Sequence, residues 1–219
     1  MSKKRRFAIL GLGQFGGALA EELAQLGCEV MAVDRDADLV DDIRDHVAGA
    51  AVADISDPEA LKEIFCREFD VAVIAIGGSL EAAIMATLHL HELGVPEIWA
   101  EASTEDRAEA LRRVGATRIL QPERDMGRRI AKRLANPDLL DYLPLTPGYG
   151  VVEMDAPEFT HGKALRELDL RAKRSVAVIA IQSKDNEMTI VPGGDTTIAA
   201  GDILTLVGRD SDLNEFREA

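Results

Sequence analysis

Cysteine is scarce in this 219-residue chain, with only Cys28 and Cys66, and so are aromatic residues, at 4%. Two cysteines cannot form a disulfide framework, and their spacing suits neither a metal site nor a redox pair, which fits a reducing compartment. Positive charge is also short: 25 Lys and Arg stand against 39 Asp and Glu, a formal net charge of -14. Neutralising phosphates along a nucleic acid needs the opposite balance, so no nucleic-acid partner is expected. The one basic cluster, residues 3–6, is read as a solubilising leader. Nowhere do 18 apolar residues run without a charge, so no membrane insertion is expected. The first apolar run begins at Phe7 with no signal-like stretch before it. The expectation is a cytoplasmic protein that meets a membrane only through a partner.

Apolar residues make up 47% of the chain, enough to bury a core. Up to about residue 120, short apolar runs alternate with longer amphipathic ones. Strands are predicted over 7–10, 30–33, 51–53, 71–76, 97–100 and 118–120, and helices over 15–26, 37–46, 58–65, 80–93 and 105–114. Pro58 after Asp57 marks a helix start, and Gly27, Gly94 and Gly115 mark helix ends. The alternation implies α/β architecture, a doubly wound parallel sheet of Rossmann type. Beyond it Pro122 can start a helix, and helical spacing runs over 126–142, with Asn136 and Pro137 expected to kink or divide it. The Pro- and Gly-rich run 144–150 reads as a linker, giving domains 1–143 and 144–219. The second is a small α+β domain, with strands over 151–154, 176–182, 188–191 and 203–207 and a short helix near 163–168.

Gly11, Gly13 and Gly16 form G-x-G-x-x-G between the first strand and the first helix. The first glycine allows a tight turn, the second a close approach of backbone to pyrophosphate, and the third close packing of helix on strand. The helix N-terminus then offers unpaired N–H groups to phosphate. Asp34, 18 residues after Gly16, ends the second strand where a carboxylate accepts from a ribose diol. Asp54 and Ile55 follow the third strand, and Ile76 and Gly77 the fourth, at the same sheet edge. Asp54 reads equally as a turn residue. The candidate nucleotide contacts are Gly11, Gly13, Gln14, Phe15, Gly16, Asp34, Arg35, Asp54, Ile55, Ile76, Gly77 and Glu101.

Catalytic partners are poorly represented. A dehydrogenase needs a proton donor beside its nicotinamide. His46 ends a helix, His161 lies in a polar loop, and His89 and His91 are two apart on a helix and face different ways. Ser79 lacks a nucleophile-elbow setting, and Cys66 has no histidine near it in sequence to act as a base. No catalytic residue is assigned, and regulation is expected rather than catalysis. An NAD(P)-dependent oxidoreductase is the alternative; a redox-sensing transcription factor would need a basic recognition helix.

FAILGLGQFGG over 7–17, Val33-Asp34, QPERDMG over 121–127, LDLRAK over 168–173 and GDILTLVG over 201–208 occur in order. Together they resemble the KtrA/TrkA family, cytosolic RCK-domain subunits of bacterial potassium uptake systems. The resemblance implies a homo-oligomer: paired domains in an octameric ring beneath a membrane subunit of KtrB/TrkH type, reshaped by ATP, ADP or NAD(H). It assigns phosphate and ribose contacts to Gly11, Gly13, Gly16 and Asp34. At Glu123 it implies a divalent cation, Mg2+ or Ca2+, near the phosphates of two neighbouring nucleotides; as read from the sequence, Glu123 is equally a helix N-terminal carboxylate. Gln14 replaces an Arg of KtrA-like members and Glu101 a Lys, so a triphosphate is less well matched while ADP, ATP and NAD(H) all stay open. Some relatives bind cyclic di-AMP between paired C-terminal subdomains; Leu165, Asp169, Arg171 and Val178 match, whereas Arg166 and Ala177 depart. Arg171 is alternatively expected to pair with Glu167, four residues earlier.

Overall fold

The computed structural model describes residues 4–65, 68–135 and 139–217. Cys66, Asn136 and Pro137, and Lys3 of the basic cluster, lie outside the described residues. Two compact units emerge, Met1–Arg124 and Asp125–Ala219.

In the first unit the strands are β1 (Arg6–Leu10), β2 (Glu29–Asp34), β3 (Gly49–Val52), β4 (Val71–Ile74), β5 (Glu97–Glu101) and β6 (Arg118–Leu120). They pair in the order β3-β2-β1-β4-β5-β6, every neighbour parallel. That is the doubly wound Rossmann order, with its direction reversing between β1 and β4. Successive residues serve opposite faces. Ala8, Leu10, Ala72 and Ile74 join one core with α3 (Pro58–Ile64), α4 (Leu80–Glu92) and α5 (Glu105–Arg113). Ile9, Val71 and Val73 join the other, with α1 (Gln14–Gln25) and α2 (Ala37–Ile43). Covering on both faces explains why these strands read as unbroken apolar runs.

Helix starts follow local chemistry. Asp36, Asp57, Ser79 and Thr104 each cap the helix that follows by accepting from a backbone N–H of its first turn. Such caps stabilise by about 1 kcal/mol each. Gly27, Gly94 and Gly115 all hold left-handed backbone after a helix, as their positions imply.

The second unit departs from the sequence reading. The helical run is divided: α6 (Pro122–Leu134) starts at Pro122 as expected, whereas Leu139 and Tyr142, expected as helix, belong to β7 (Leu139–Thr146). The Pro- and Gly-rich run is no linker; β7 turns at Pro147 and Gly148 into β8 (Tyr149–Asp155) as a hairpin. The sheet order is β10-β9-β11-β8-β7, antiparallel throughout, with β9 (Ala177–Gln182), β10 (Met188–Ile190) and β11 (Ile203–Arg209). Because β7 is an edge strand, Pro144 can sit in it without removing a ladder bond from an interior strand. The expected single short helix is also two, α7 (Leu165–Leu168) and α8 (Leu170–Arg174), parted by Asp169 at φ 45°.

The core of this unit includes Val152, Met154, Ile181, Leu204 and Leu206, closed by Leu213 and Phe216 of α9 (Asp210–Arg217). Lys132 of α6 lies 3.1 Å from Asp210 and over the Tyr142 ring, which fastens α6 to β7 and α9. Phe216 is fully buried and meets the Phe159 ring edge-on at 5.2 Å between centroids. Its loss would leave a cavity at the end of the chain. Phe216→Ala is expected to cost about 3–5 kcal/mol, measured by urea unfolding of the full chain; a cost under about 1 kcal/mol contradicts this account of the core.

Candidate nucleotide-binding site

The three loop glycines have different physical reasons. Gly11 holds φ 100°, and a Cβ there would lie 2.5 Å from the Ala75 carbonyl oxygen, so the turn and the β4 edge both require glycine. At Gly16 a Cβ would fall 1.9 Å from the Gly11 carbonyl oxygen, which fixes the start of α1 against the end of β1. A Cβ at Gly13 would meet nothing within 4 Å. Internal packing therefore does not account for Gly13; its bareness opens the approach from outside the chain.

Gly13 is also the N-cap of α1, and no side chain caps it. The first helical bond runs from Gly17 N–H to the Gly13 carbonyl at 2.8 Å, so the N–H groups of Gln14, Phe15 and Gly16 have no helical acceptor. Helices α2 to α5 have their caps filled by their own side chains; α1 presents an open positive dipole end to an anion. Gln14 is exposed and Phe15 half-buried.

Asp34 stands beside this opening. Its Oδ2 accepts from Leu12 N–H at 2.6 Å and its Oδ1 from Asp36 N–H at 2.9 Å, which locks the carboxylate between the glycine loop and the end of β2. Each oxygen keeps a lone pair for a ribose hydroxyl. Asp54 serves its own turn: Oδ1 accepts from the Ser56 hydroxyl at 2.7 Å and the Ser56 N–H at 2.9 Å. These bonds hold its carboxyl below the usual carboxylate range, with exposed Arg35 adding attraction. Ile55 is 4% exposed and packs in the core, so its side chain is not offered to a ligand, and only its backbone faces the edge.

Across the reversal point, Ile76 abuts Gly11, and Gly77 abuts Glu101, whose Oε1 would lie 2.8 Å from a Cβ at Gly77. Glu101 ends β5 and is 7% exposed. Burial, and then the negative charge of Glu123, raise its carboxyl above the usual range. Glu123 itself is exposed on the first turn of α6. No group of three His, Cys, Asp or Glu that could hold a metal occurs among the described residues. A divalent cation at Glu123 would therefore need oxygens from outside this chain, which phosphates supply.

Two residues near this edge make contacts yet are not among the sequence-based site residues. Arg107 donates to the Gly77 carbonyl at 2.9 Å and so shapes the loop after β4. Gln121 follows β6 and accepts from Arg124 at 3.2 Å, which leaves its Nε2 buried without a partner. Arg107 belongs to no motif and is thirty residues from its acceptor, whereas Gln121 opens the run 121–127, which assigns it no contact. The histidines lie elsewhere. His89 and His91 sit in the last turn of α4, roughly 14 Å of helix from its start at this edge. His46 follows α2, and His161 bonds the Ala156 carbonyl in the second unit.

In the second unit, Leu165, Arg166, Asp169, Arg171 and Val178 line one cavity of about 250 Å³ with Pro192 and Gly194. Ala177 is not in its lining. Arg166 pairs with Asp195, whereas the expected pair of Arg171 with Glu167 is not formed, because the break at Asp169 places them on separate helices. A hollow of about 360 Å³ lies in the first unit at the amino edge of its sheet, among Arg6, Met31, Gly49 and Phe69. Ligands of open parallel sheets bind at the carboxyl edge, so the glycine loop is the better candidate site despite the larger hollow.

Residues 7–122 match the TrkA-N domain model and residues 152–219 the TrkA-C domain model. The chain is 37% identical over 215 residues to the Ktr system potassium uptake protein C of Bacillus subtilis, covering 98% of this chain and 97% of that protein. It is 34% identical to the Ktr system potassium uptake protein A of Vibrio alginolyticus, covering 95% and 94%. Among solved structures, a GsuK channel aligns with TM-score 0.66 at 16% identity, over 97% of this chain and 39% of the channel chain, a likeness of fold. With the glycine loop, the strand order and both domain models in agreement, the chain belongs to the KtrA/TrkA family of potassium uptake proteins.

Proposed function

We propose that this chain is a nucleotide-binding regulatory subunit of a bacterial potassium uptake system, acting by binding rather than by catalysis. The observation that carries this reading is the open N-terminus of α1: a bare Gly13 with nothing near it, uncapped N–H groups, and Asp34 fixed alongside. Nearly full-length kinship with Ktr uptake proteins supports the transport context. ATP, ADP and NAD(H) share the adenosine and pyrophosphate that such a cradle takes.

Regulation needs ligands that bind two assembly shapes unequally, since only differential affinity shifts a population. Copies of the chain pair and close into an octameric ring below a membrane subunit of KtrB/TrkH type, at the inner face of the membrane. Helix α6 supports the assembly reading, because Met126, Ile130 and Leu134, one turn apart, leave an apolar stripe exposed. Glu123, at its start, holds Mg2+ or Ca2+ jointly with nucleotide phosphates and a second copy's carboxylate. The second-unit cavity favours a further ligand, cyclic di-AMP, with Arg171 set against a phosphate.

Calorimetric titration with ATP, ADP and NAD(H), with and without Mg2+ or Ca2+, together with co-purification with a channel subunit, tests this reading. A monomer that binds no adenine nucleotide and no channel subunit overturns it. Gly13→Ala is expected to change stability by less than about 1 kcal/mol yet weaken nucleotide binding at least about tenfold. Gly16→Ala is expected to destabilise the fold by at least about 1–3 kcal/mol, seen in urea unfolding. Arg171→Ala is expected to lower cyclic di-AMP affinity about tenfold or more and leave adenine-nucleotide affinity unchanged; equal affinity for cyclic di-AMP removes that ligand from the account.

A further inference from the structure

We propose that Glu101 sets the ligand specificity of this cleft, selecting a pyrophosphate-linked dinucleotide of the NAD(H) class against a nucleoside triphosphate. The inference rests on the reading of the cleft as a nucleotide site and names the class of nucleotide that it takes.

The two helix starts that flank the reversal point differ. The N-terminus of α1 is open, but that of α4, its counterpart in the second half of the sheet, is filled by its own Ser79, whose Oγ accepts from Ala82 N–H at 3.3 Å. Near the second half, Arg107 donates one guanidinium N–H to the Gly77 carbonyl, and Arg124 bonds Gln121 and lies 3.8 Å from Glu105. A phosphate chain extending from α1 toward β5 meets the Glu101 carboxylate.

Glu101 is more than nine-tenths buried, at the edge where Ala102 N–H bonds the Leu120 carbonyl at 2.9 Å. Its carboxylate lies against Gly77, in the loop that also touches Gly11, so it belongs to the same cleft as the cradle. No donor among the described residues bonds it. Gln121 does not serve, since its amide oxygen is turned to Arg124 and its Nε2 stays without a partner. A desolvated carboxylate facing a like charge lacks donors and repels further negative charge. A neutral group bearing N–H or O–H answers both needs. In a doubly wound sheet a dinucleotide crosses the reversal point and lays its second nucleoside over β4 to β6. The second ribose hydroxyls and the carboxamide of a nicotinamide are such donors, whereas a terminal phosphate is not.

The experiment is calorimetry on the full-length protein with NAD+, NADH, ADP and ATP, each with and without Mg2+, comparing wild type, E101Q and the exposed control D106N in the first turn of α5. Wild type is expected to bind NAD(H) at least about tenfold more tightly than ATP, the scale of one hydrogen bond to a buried carboxylate. E101Q is expected to shift that ratio about tenfold or more toward ATP, with ADP affinity little changed, and D106N to leave it unchanged. E101Q removes a desolvated charge with an isostere, so its unfolding midpoint at neutral pH should match or exceed that of wild type, which separates specificity from misfolding. ATP binding tighter than NAD(H) in wild type, or an unchanged ratio in E101Q, overturns the proposal while leaving the nucleotide site standing. Absence of binding by all four nucleotides overturns the underlying reading instead.

Discussion

The contact between Gly16 and the Gly11 carbonyl is the constraint from which the rest of the first unit takes its form. Because the backbones come so close that no side chain fits between them, α1 must begin where β1 ends, and its first N–H groups must point across the carboxyl edge of the sheet. The bond from Leu12 N–H to Asp34 then ties that corner to β2, and the contact of Gly11 with Ala75 and Ile76 ties it to β4. Three parallel strands are thus joined at a point where no strand crosses. The nucleotide cradle is a by-product of that junction.

Charge at this edge is set by the parts that the junction does not determine. The end of β5 carries a carboxylate, the loop after β4 is held by Arg107, and the start of α6 adds another carboxylate, Glu123. Substitutions at such positions alter charge without disturbing helix or strand. A family can therefore keep one cradle and vary its ligand.

Much of this was legible in the sequence where the cause was local. The glycine loop, the Asp34 strand end, the Asp57-Pro58 helix start and the helix-ending glycines each follow from one or two residues, and each occurs where expected. Features with non-local causes were not legible. Pro144, Pro147 and Gly148 punctuate a hairpin as they would a linker, and only the edge position of β7 tells the two apart. Helix α9 offers just two buried residues, Leu213 and Phe216, too few for a periodic signal. The break at Asp169 depends on a left-handed residue that is not glycine. Ile55 follows β3 at the carboxyl edge, but its side chain turns inward to the core.

The open end of α1 stands in a chain whose net charge has the same sign as its proposed ligand. At physiological ionic strength the Debye length is about 8 Å, and the field of a helix end fades within about a turn. An approaching nucleotide is repelled at long range and attracted only near contact. Salt that screens this repulsion is expected to quicken encounter, the reverse of the steering seen at a cationic cleft. Recognition here is decided at touching distance, after arrival, and the ambient ionic strength governs how often arrival occurs.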